Sequence, residues 1–112
     1  MQKIYFDNAA TTTIRSEVIT RMIEVLEGDF GNASSSHSYG RSAKNHIEQT
    51  RKNIAKYLGV NASEIIFTSG GTEADNLVIN SAVRDLGVSH IITSKIEHHA
   101  VLHTAEELQK EY

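Results

Sequence analysis

The chain has 112 residues, which allow one domain or part of a larger one. Leu, Ile, Val and Phe make up a quarter of it, enough for a packed core and too many for a disordered chain. A net charge of −3 provides no footprint for nucleic acid or an anionic membrane, and the absence of cysteine excludes disulfides, thiolate metal sites and a cysteine nucleophile within these residues.

No apolar run approaches the length of a membrane span, and the opening Met1–Asp7 lacks the apolar region of a signal peptide. A cytoplasmic protein is therefore expected, without nucleic-acid or membrane partners. Proline is also absent, and the sequence offers no physical reason for it.

An extended Ile4-Tyr5-Phe6 leads into the polar stretch 7–13. The first helix is expected near Ser16 as its N-cap, with Val18, Ile19, Met22, Ile23 and Leu26 at helical spacing and Gly28 as its stop. Residues 31–38 read as a loop. A longer amphipathic helix is expected over 39–58, ending at Gly59. Beyond a composition shift near 59–63 the rhythm becomes strand, helix, strand, helix: 64–68, 72–86 capped by Gly87, 90–94 and 99–110. This pattern predicts an α/β fold with strands buried on both faces. It divides the chain into an arm with helices (1–60) and the start of an α/β domain (61–112).

Two segments carry chemistry. In the first, the run Ile65-Ile66-Phe67-Thr68 stops at Gly70-Gly71, and a helix follows from Thr72. A strand, tight turn and helix N-terminus leave backbone N–H groups open to an anion such as phosphate. The turn has neither the lysine of a P-loop nor the G-x-G-x-x-G spacing of a dinucleotide fold. The same glycine pair also serves as ordinary turn geometry.

The second segment, Ser94–His103, follows the other expected strand and so falls at the same sheet edge, where ligands collect in α/β folds. His99 and His103 stand four apart on one helix face. With no obvious third ligand and no H-E-x-x-H order, they are expected to be exposed helix residues, and no metal is expected. His98 lies at the strand-to-helix turn. Spacing leaves two readings of it open: a helix-capping histidine, or an imidazole that stacks on a flat ligand and exchanges protons.

Taken together, these residues resemble the N-terminal part of NifS/IscS-type cysteine desulfurases, class-V, fold-type I enzymes dependent on pyridoxal 5'-phosphate. The resemblance is carried by Tyr5–Thr12, Phe30-Gly31-Asn32 with Ser34, Ser35, His37, Gly40, Arg41 and Ala43, Glu64–Glu73 with Asp75-Asn76, and Ile91–Ser94 with Glu97-His98 and Ala100–Leu102. It implies that the N–H groups of Gly71 and Thr72, with the Thr72 hydroxyl, hold the cofactor phosphate. His98 would stack on the pyridine ring and shuttle protons, and Asn8-Ala9-Ala10 would line the entrance. The family converts L-cysteine to alanine and an enzyme persulfide for iron–sulfur cluster assembly. A selenocysteine lyase or an aminotransferase of the same class is the nearest alternative; a non-catalytic, self-associating chain is the other.

The chain departs from the family pattern where Thr13, Ser16 and Ala33 replace usual prolines, each loosening a turn by up to about 1 kcal/mol. None of Lys3, Lys44, Lys52, Lys56, Lys95 and Lys110 lies in the motif of the lysine that binds the cofactor covalently. The acidic partner of the ring nitrogen, the substrate-binding arginine and the persulfide cysteine are likewise unmatched. By itself the chain is expected not to turn over cysteine. Its two strands would be non-adjacent in the family's sheet, so a C-terminal chain, a swapped homo-oligomer or a rearranged fold is expected to satisfy them.

Overall fold

The computed structural model describes residues 3–112. It contains α1 (Ser16–Gly28), α2 (Ser38–Leu58), α3 (Gly71–Arg84) and α4 (His99–Glu111), with a 3₁₀ turn at Ala62–Glu64. These form two compact units, Met1–Ile65 and Ile66–Tyr112.

In the first unit, α1 stops at Gly28 as expected and starts at Ser16 itself, with Arg15 rather than Ser16 as its N-cap. Its apolar face stays open: Met22 is 50% and Leu26 70% exposed. Side chains tie α1 and the loop after it to α2. His46 Nε2 lies 2.6 Å from an Asp29 oxygen, and Arg21 donates to His46 Nδ1 at 3.1 Å. The Ser42 hydroxyl donates to the other Asp29 oxygen. The Ser42 bond, then His46, holds the Asp29 carboxyl below its ordinary pKa.

Helix α2 is capped at both ends. His37 Nδ1 accepts from Gly40 N at 3.4 Å. Gly59, at φ 69°, closes it in a Schellman arrangement with Val60 N donating to Ala55 O at 3.0 Å. Gly40 is required by close approach: a Cβ there would sit 2.6 Å from Asn32 O and nearer still to Ser35 O.

The second unit is a helix pair, α3 on α4, with Ala100, Thr104 and Leu108 buried. Gly87, again at φ 69°, turns the chain after α3. Among the described residues no helix is long and apolar enough to cross a membrane.

The expected α/β architecture is realised here only in its helices. No strand is present among the described residues, and the segments at 64–68 and 90–94 have no ladder. A strand exists only through a ladder of backbone hydrogen bonds to a neighbouring strand, and no such ladder forms among the described residues. Apolar side chains expected in a sheet core are therefore exposed: Ile66 at 67% and Ile92 at 88%. Glu64 goes instead to the 3₁₀ turn, where its carboxylate accepts from Asn61 N at 2.7 Å.

Candidate functional site

Within the second unit, Gly71 is the first residue of α3, Thr72 the second, and His98 the N-cap of α4. The first α-helical bond of α3 runs from Ala74 N to Gly70 O at 3.1 Å. The N–H groups of Gly71, Thr72 and Glu73 are thus left without a protein acceptor, the ordinary condition of a helix start. No side chain caps Gly70. The Glu73 carboxylate instead folds back to accept from Ser69 N at 2.6 Å. That backbone bond, aided by the Ser69 side chain, keeps the Glu73 carboxyl below its ordinary pKa.

Protein geometry does not demand glycine at position 71. It lies in the helix, and a Cβ there would meet nothing within 4 Å. The bare backbone leaves room for something that approaches from outside.

His98 accepts from Ala100 N through Nδ1 at 3.1 Å. Of the two readings left open by spacing, capping is therefore realised in this chain. It also fixes the neutral tautomer: with Nδ1 accepting, the proton sits on Nε2. The ring itself stays exposed.

Two side chains without an assigned role set the relative height of these groups. Thr104, buried at 7% exposure, shares its one hydroxyl proton between Asn76 Oδ1 at 2.8 Å and Ala100 O at 2.7 Å. Asn76 Nδ2 in turn donates to Thr72 O at 2.8 Å. Asn76 lies five positions beyond Gly71, and Thr104 five beyond His99. At about 1.5 Å per residue each lies roughly 7.5 Å along its helix. Arg84 meets Glu111 at 2.7 Å farther along both helices.

α3 and α4 therefore run parallel, with both N-termini level at one end. The positive ends of two helix dipoles, the free amides of Gly71 and Thr72 and the His98 imidazole share that end. A polar residue interrupting the apolar stripe of Ala100, Val101 and Leu108 was the sequence signal for Thr104.

Two further features lie elsewhere. A groove of about 840 Å³ flanks α4, lined by apolar Val83, Ile91, Leu102 and Leu108 and by polar side chains that include His90 and Glu106, none of them a predicted site residue. Asn8, Ala9 and Ala10 form a turn in the first unit, with Ala10 N donating to Asp7 O at 3.1 Å.

Residues 4–112 match the aminotransferase class-V family. IscS 1 of Bacillus subtilis (strain 168) is 53% identical over 97% of this chain and 29% of its own length. The cysteine desulfurase IscS of Methanosarcina thermophila is 50% identical over 95% of this chain and 27% of its own length. A solved structure described as a NifS-like protein superposes with a TM-score of 0.88 at 39% identity, covering 98% of this chain and 31% of that one. The chain thus spans less than a third of the relatives it matches. It belongs to the class-V aminotransferase family.

Proposed function

We propose that this chain supplies the phosphate-binding and ring-stacking portion of a pyridoxal 5'-phosphate-dependent cysteine desulfurase. In this reading Gly71 N, Thr72 N and the Thr72 hydroxyl bind the phosphate, and His98 covers one face of the pyridine ring. The observation that carries it is the level pairing of the α3 and α4 N-termini through Thr104 and Asn76. Unpaired amides at a helix start suit a compact dianion. A Gly71 that neither its backbone nor its packing requires supports the same ligand.

The residues present fit the group, which when bound supplies an electron sink for bonds at the substrate α-carbon. What the chain itself does is narrower. The amides orient the phosphate, and His98, with its proton on Nε2, offers a donor at the exposed edge of its ring. The chain has no cysteine to receive sulfur, so L-cysteine turnover by these 112 residues alone is not expected. The reading extends to a cytoplasmic enzyme whose chains associate; the exposed apolar face of α1 supports association.

Titrating pyridoxal 5'-phosphate into the chain tests it. Saturable, phosphate-competed binding that weakens in Thr72→Ala and His98→Ala is expected. Equal affinity for pyridoxal lacking the phosphate would overturn the reading.

A further inference from the structure

We propose that His99 and His103 form a two-imidazole site for a divalent transition ion on the exposed face of α4. Sequence spacing puts the pair one turn apart but finds no third ligand, and among the described residues no three His, Cys, Asp or Glu side chains converge. Two ligands on one rigid helix nevertheless make a chelate. Their ring centroids lie 5.2 Å apart.

A nitrogen ligand at about 2.0–2.1 Å puts the ion about 3.2 Å from each ring centre, so two imidazoles meeting at a tetrahedral angle have centroids roughly 5.2 Å apart. The observed separation therefore leaves the two rings close enough to share one zinc ion.

His98 is excluded from the set on two grounds. Its ring lies 6.1 Å from that of His99, which would force an angle near 145°, far wider than about 109° at a tetrahedral ion. Its Nδ1 is also committed to Ala100 N. Both His99 and His103 are exposed, so water can complete the coordination. Imidazole pairs select zinc, nickel and copper over magnesium and calcium. The site does not depend on the function proposed above, because neither histidine has a part in it.

Zinc titrated calorimetrically into the full chain is the test, with His99→Gln, His103→Gln and His90→Gln alongside. The expected result is one ion per chain, with affinity falling roughly tenfold or more in either of the first two variants and unchanged in the third. Substituted at exposed positions, these variants keep the α4 circular dichroism signal, and copper on the unaltered chain shows two coordinating nitrogens by electron paramagnetic resonance. Retention of full zinc affinity by either single variant would overturn the proposal. So would an equal loss in His90→Gln.

Discussion

Thr104 Oγ1 donates to Asn76 Oδ1 across 2.8 Å, between helices whose first residues are each five positions upstream. That one contact, between residues 28 positions apart, levels the two helix N-termini on which the candidate site rests.

Thr104→Val keeps the shape and removes the hydroxyl, leaving the Asn76 carbonyl oxygen without its donor. A loss of about 1–2 kcal/mol is expected in denaturant unfolding, with non-additivity when it is combined with Asn76→Ala. Cofactor affinity falls in the same variant, since the α3 and α4 starts are no longer held level.

His98 has two separable duties, a backbone cap and a ring. His98→Asn retains an N-cap acceptor, whereas His98→Ala does not. The alanine variant is expected to lose up to about 1 kcal/mol of stability and the asparagine variant much less. Both lose the ring, and both bind pyridoxal 5'-phosphate more weakly. Comparing thermal melts with binding isotherms separates the two effects.

The helices were legible because their determinants are local. Gly28 ends α1 as expected, while Ser16 is its first helical residue rather than its N-cap, which is Arg15; Gly59 ends α2 because a left-handed residue closes that helix. The strands were not, because a strand is defined by a neighbour and the periodicity of 64–68 and 90–94 says nothing about whether one is present. At the site, Gly71, Thr72 and His98 stood out in sequence as turn and cap residues. The Thr104–Asn76 bridge did not, since contact between residues so far apart depends on how α3 meets α4. Glu73 belongs to the Glu64–Glu73 motif, but nothing in its spacing announces the fold back to Ser69 N.

Glu73 makes the α3 start acid-sensitive. Its carboxyl pKa is depressed by the Ser69 backbone N–H, so its contribution is complete above the usual carboxylate range and fades as pH falls through the lowered value. Amide exchange at the α3 start is expected to accelerate as pH falls below the ordinary glutamate range, beyond its intrinsic dependence. Glu73→Gln removes that excess. An unchanged profile in the variant would place the acid sensitivity elsewhere.

In the first unit, the backbone around Gly40 leaves no room for a methyl group. Gly40→Ala presses a Cβ on Ser35 and Asn32 carbonyl oxygens and is expected to cost about 1–3 kcal/mol in unfolding experiments. Gly28→Ala meets nothing within 4 Å and serves as the control, with no steric penalty.

In the proposed function, the backbone at Gly71 is bare for a ligand rather than for the fold. Amide spectra of the chain and of Gly71→Ala, recorded during titration with pyridoxal 5'-phosphate, test it most directly. Shifts centred on Gly71, Thr72 and His98 are expected, with a variant at least as stable as the parent that binds roughly tenfold more weakly. Shifts confined to residues away from both helix starts, or full affinity in the variant, would contradict it.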